Sequence, residues 1–151
     1  MQILDEAHAR EHSLEVHLPF LQEVLGDFTL IPLVVGKAAP EDVSAVLDML
    51  WGGPETLIVI SSDLSHYYDY TIARRLDQAT SRAIEALRPQ DIGAEQACGC
   101  TPINGLLCAA RTHGLYARTV DLRTSGDTAG PRDEVVGYGA YLFTPEATVK
   151  E

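Results

Sequence analysis

Apolar positions follow two spacings along this chain, and the two spacings predict different elements. Residues 28–35 (FTLIPLVV) and 56–61 (TLIVIS) are short continuous apolar runs, rich in β-branched side chains and closed by Gly36 or by polar residues, so each reads as a buried strand. Between them Val43, Val46, Leu47 and Leu50 recur at helical spacing behind Pro40, Glu41 and Asp42, with Gly52 and Gly53 just beyond. A first-turn proline, early acids and trailing glycines frame an amphipathic helix. Strand, helix, strand predicts a crossover unit with parallel pairing.

The pattern continues in the second half. A helix is predicted over 70–87, with Ile72, Leu76, Ala79, Ala83, Ile84 and Leu87 on its buried side and Pro89 ending it. Another begins near Thr101, an N-cap candidate followed by Pro102, and runs through Leu106, Leu107 and Ala110 to Gly114. Strands are expected over 116–122 and 138–143, around a loop rich in Gly, Asp and Pro. The fold class expected is therefore α/β, a mixed and largely parallel sheet with helices on its faces. An apolar content of 46% in 151 residues supplies one core, so residues 1–151 are expected to form one domain.

Charge narrows the partners. Lysine and arginine total 11 against 22 acids, a formal charge of -11 that repels phosphate backbones and anionic lipid headgroups, so neither nucleic acid nor a membrane surface is expected to bind. The absence of a bilayer-length apolar run and of a signal-peptide pattern points to a cytoplasmic location. Three cysteines cannot all pair within one chain, and reduced thiols are the expectation.

Candidate chemistry is concentrated in three short stretches. Asp63 and His66, in SSDLSHY, directly follow the apolar run ending at Ile60, and ligands of open α/β sheets gather beyond such strand ends. The structural alternative is a turn in which the same polar groups cap the chain. In EHSLEVHLP, Ser13 is an N-cap candidate, and Pro19 either kinks the helix that follows or marks its true start. His12 and His17 would lie about 140° apart around a helix and share no face, and His17 is expected to pack beside Leu18 and Phe20. His8, Glu11 and His12 fit the H-x-x-E-H pattern of inverted zinc peptidases, a pattern of low specificity that needs both histidines on one helix. Cys98 precedes the third helix, where free amides and the helix dipole favour a thiolate. Cys108, inside an apolar helix, reads as a small core residue. Asp127, Arg132 and Asp133 are ligand-binding candidates in a loop that Gly126 and Gly130 let fold closely; the alternative is an Arg–Asp pair holding that loop.

Four segments, EHSLEVHLPFLQ, SSDLSHY, CG-x-x-P-x-NGLL and SGDTAGPRDEVVGYGAY, occur in an order that resembles the Memo family, whose bacterial and archaeal members are called AmmeMemoRadiSam system protein B. The resemblance implies a fold like that of class III extradiol dioxygenases, and a pocket of two histidines and a cysteine associated with copper or iron. It assigns metal-ligand roles to His12 and Cys98 and places Asp63 and His66 in the same pocket, with His66 as acid-base group or substitute ligand. It also implies relatives nearly twice as long, whose N-terminal half supplies a further histidine. The expectation is a Memo-like half that forms a homo-oligomer or pairs with a missing N-terminal half, with AMMECR-type and radical-SAM proteins as pathway partners. Two function classes follow: a metal-dependent oxidase or dioxygenase-like protein, and a non-catalytic peptide- or protein-binding module using the same cleft.

Overall fold

In the computed structural model, residues 2–145 are described. The chain divides into two compact units, 1–36 and 37–151. In the first, α1 spans Asp5–His8 and α2 spans Leu18–Leu25, with Pro19 in the opening turn and Gly26, at φ 67°, closing it. Pro19 therefore marks a helix start, since a proline in the first turn removes only an N–H with no helical partner. Ser13 is not the N-cap: residues 13–17 form turns, and Glu11 accepts the N–H groups of His12 and Ser13 at 2.9 and 2.8 Å. Because α1 ends at His8, His8 and His12 do not share a helix and the inverted zinc-peptidase pattern lacks its scaffold.

The second unit holds α3 (Pro40–Leu50), β1 (His66–Tyr68), α4 (Tyr70–Glu85), α5 (Cys100–Thr112), β2 (Leu115–Thr124) and β3 (Val135–Pro145). The α3 and α4 boundaries match the sequence expectation closely, and Asp69 caps α4 by accepting the Thr71 N–H at 2.8 Å. In α5 the cap is Gly99 and not Thr101, so the helix opens earlier than its threonine suggested.

The mixed α/β class holds, but the pairing departs from a largely parallel sheet. Strand order is β1-β3-β2, and both ladders are antiparallel. Among the described residues, 28–35 and 56–61 are extended without a ladder assignment. Apolar, β-branched composition favours an extended backbone, but a strand exists only when a neighbour accepts and donates its hydrogen bonds. Among the described residues neither run therefore forms the ladder that the expected crossover requires.

The core of this unit gathers Leu64, Ala83, Ile84, Ile92, Ala97, Ile103 and Leu107, with Ile60, Leu122, Tyr141 and Phe143 packed against it. On α4 the buried face carries Ala73, Asp77, Thr80, Ser81, Ala83 and Ile84, while Ile72 and Ala79 are exposed. The inward face is thus rotated from the one the large apolar residues marked. Small side chains let α4 lie close to the sheet, where Ser81 Oγ and Tyr141 Oη share a 2.6 Å hydrogen bond.

Candidate functional site

Two backbone segments of the second unit approach each other closely enough to build a site. Residues 61–63 lie against Cys98–Gly99, and a Cβ at position 99 would stand 2.7 Å from the Ser62 Cβ and 3.0 Å from the Ser61 carbonyl oxygen. Glycine at this position is a packing requirement. Its N–H donates to Ser62 Oγ at 2.8 Å, and Ser62 Oγ donates to the Asp63 carbonyl at 2.7 Å. Cys98 is thereby held beside Asp63, whose backbone N–H donates to the sulfur at 3.3 Å.

His66 reaches the same place from β1. Leu64 N–H donates to the Gly137 carbonyl at 2.9 Å and Gly137 N–H to the Ser65 carbonyl at 2.8 Å, which anchors the approach to the strand. The β1–β3 register then slips between His66 and Tyr68, and Tyr67 takes φ 60°. A bulge of this kind bends an edge strand and re-aims its side chains, and the left-handed backbone of a tyrosine is strained. His66 Nε2 lies 3.5 Å from Asp63 Oδ2, with the two side chains 31% and 48% exposed. One donor atom from each of Asp63, His66 and Cys98 lies within 4.8 Å of the others. The cluster is a carboxylate, an imidazole and a thiol, open to solvent, two residues ahead of the α5 N-terminus.

The other candidates are not part of this cluster of three. His12 belongs to the first unit, in the segment between α1 and the turns before α2; His17 caps α2 and is half-buried. Asp127 accepts the Tyr70 hydroxyl at 2.7 Å and, at its second oxygen, both the N–H and the hydroxyl of Thr124. Donation from Tyr70, more than that from Thr124, holds this carboxyl below the usual aspartate range, and it pushes the Tyr70 hydroxyl up. Arg132 lies over the Tyr70 ring at 4.5 Å and donates to the Gly126 carbonyl at 3.2 Å. These contacts fold the loop onto α4. Asp133 is exposed in the bend before β3.

Asp77 is the polar residue that the sequence pattern passed over. Only 1% exposed, it accepts the Ser65 N–H at Oδ1, 3.0 Å away, and its Oδ2 has no hydrogen-bond partner. Burial pushes its carboxyl above the usual aspartate range, opposed by the Ser65 hydrogen bonds. Its placement was legible in one respect, since it follows the buried Ala73 by one helical turn.

A family profile described as Memo-like protein matches residues 2–142. A MEMO1 family protein of Aeropyrum pernix is 37% identical over 149 residues, covering 90% of this chain and 53% of the relative. For a MEMO1 family protein of Saccharolobus islandicus the identity is 36%, over 93% of this chain and 54% of the relative. One from Thermotoga petrophila is 36% identical over 91% of this chain and 52% of its own length. The chain spans about half the length of the curated relatives it matches.

Proposed function

This chain belongs to the Memo-like family, and from that premise we propose that Asp63, His66 and Cys98 form a redox pocket that holds copper or iron. The observation that carries the reading is the convergence of thiol, imidazole and carboxylate within 4.8 Å. Donors around a single tetrahedral ion, at about 2.0–2.3 Å from it, stand roughly 3–4 Å apart, so partly exposed side chains need only small rotations to close on one. A thiolate with an imidazole suits copper and iron, and the carboxylate adds a hard donor.

When bound, such an ion would supply one-electron redox chemistry. The chain's own groups prepare that site. The Asp63 N–H, donating to Sγ, fixes the sulfur beside the carboxylate. Asp63 also faces the His66 ring at Nε2 and biases its orientation. No helix among the described residues is long and apolar enough to cross a membrane.

Elemental mass spectrometry on untagged protein tests the reading. Near-stoichiometric copper or iron is expected in the wild type, with a loss of about tenfold or more in Cys98→Ala and His66→Ala. A folded wild type that stays metal-free after exposure to both ions would sink it. His12→Ala, run alongside, reads whether the first unit supplies the donor that the family resemblance implies.

A second reading, a non-catalytic module binding a peptide or protein in the same cleft, is favoured by Leu57 and Val59. They are 62% and 45% exposed on the extended segment leading to Asp63. Because the relatives are about twice as long, their whole-protein activity and partners are proposals for this chain. Those partners are a second copy, a polypeptide matching the rest of that length, or AMMECR-type and radical-SAM proteins of a shared pathway.

A further inference from the structure

A buried carboxyl in the hydrophobic interior is costly, and the cost is tolerated where the group holds something in place. Asp77 holds the peptide that leads into the candidate site. Ser65, fully buried, directs its N–H to Asp77 Oδ1 at 3.0 Å and its carbonyl to the Gly137 N–H at 2.8 Å. Both backbone polar groups of that residue are therefore engaged, one by α4 and the other by β3, while its buried hydroxyl has no hydrogen-bond partner. Gly137 completes the arrangement, because a Cβ there would occupy the space of the Asp77 carboxyl. The next residue along the chain is His66, and the residue after it has the left-handed backbone of the bulge.

From this geometry we infer that Asp77 is a positioning residue for His66: by clamping the Ser65 amide against α4, it presents the imidazole to Asp63 and Cys98. The clamp lies where orientation is otherwise weakest. β1 is three residues long, it pairs with β3 alone, and its register slips within its own length. A short bulged edge strand has little intrinsic hold on the direction of a side chain, and a fixed amide immediately before it removes the main freedom left. Withdrawing the acceptor would leave the Ser65 N–H buried without a partner, and the segment would turn toward water to satisfy it. The requirement is for an acceptor at Oδ1, which an amide side chain also supplies.

The inference rests on the proposed pocket for its functional consequence, and Co2+ is the probe. Asp77→Asn should bind Co2+ within about twofold of the wild type and with the same visible absorption. Asp77→Ala should lose about tenfold in affinity, the low end of what outer-shell partners contribute, and show an altered ligand-field spectrum. In amide hydrogen exchange, Ser65 should be as protected as the centre of β3 in the wild type and in Asp77→Asn. An unprotected Ser65 amide in the wild type would overturn the inference without any variant. So would a folded Asp77→Ala with wild-type affinity and spectrum, or an Asp77→Asn as impaired as Asp77→Ala. A wild type that binds no Co2+ counts against the metal reading alone; the His66 ring-proton resonances then decide, shifted in Asp77→Ala and unshifted in Asp77→Asn if the clamp operates.

Discussion

At Asp77 one carboxyl meets two opposed demands. Burial raises its pKa, while the Ser65 hydrogen bonds and the nearby Arg74 and His66 favour its charge. The net direction is upward, so the folded protein binds this proton more tightly than the unfolded chain, whose aspartates titrate near about 3.9. The contribution to stability is then full below that value and is lost as pH rises through the raised folded pKa. Asp77→Asn removes this titration. Its urea midpoint should gain on the wild type as pH rises from about 4 toward neutrality and level off above the folded pKa; a constant difference across the range would contradict the assignment. Asp127 shows the opposite sign, with a lowered pKa whose contribution is present above the unfolded value and lost as acid protonates the folded carboxyl.

Between elements, close approach is decided by glycine. A Cβ at Gly105 of α5 would meet the Val43 side chain of α3. Replacing a helical glycine by alanine gains up to about 1 kcal/mol in propensity, while overpacking a tight contact costs about 1–3 kcal/mol. Valine is stiff at χ1 and cannot swing clear, so the packing term wins. Gly105→Ala should destabilise by about 1 kcal/mol or more in equilibrium unfolding, and by less in a chain that already carries Val43→Gly, since alanine at 43 would keep the Cβ that stands in the way. Additive losses in the double variant would show that the two residues do not meet. On α4 the buried positions are mostly small or hydrogen-bonding, with Ile84 the one large apolar side chain among them, and Ile72 is left outward.

On the scale of the whole molecule, apolar surface and net charge compete. Leu57 and Val59 present an extended, unladdered apolar run, a feature that recruits another chain. The charge of -11 opposes association of two copies, and salt screens that repulsion without weakening apolar contact. Sedimentation should therefore show self-association that grows with protein and salt concentration, and that Leu57→Lys with Val59→Lys abolishes while helix content is kept. A strictly monomeric wild type at high salt would remove the self-association proposal.

The sequence by itself determined α3, α4 and the body of α5, and the chemistry of the site's parts. Pro40 and the helical spacings fixed α3 and α4 nearly to the residue, because first-turn chemistry and amphipathicity are local and act within a few positions, while the Asp69 cap of α4 was read only from the structure. β2 and β3 were visible as two strands around a Gly-rich loop, but their antiparallel pairing was not. Which residues face one another was not local, and only the tertiary structure decided it. It brought Asp63, His66 and Cys98 together through Gly99, folded Asp127 and Arg132 onto α4, put His12 in the other unit, and left two strand-like runs without ladders. Strand pairing and the burial of Asp77 depend on partners distant in sequence, and no spacing along the chain encodes where those partners will lie.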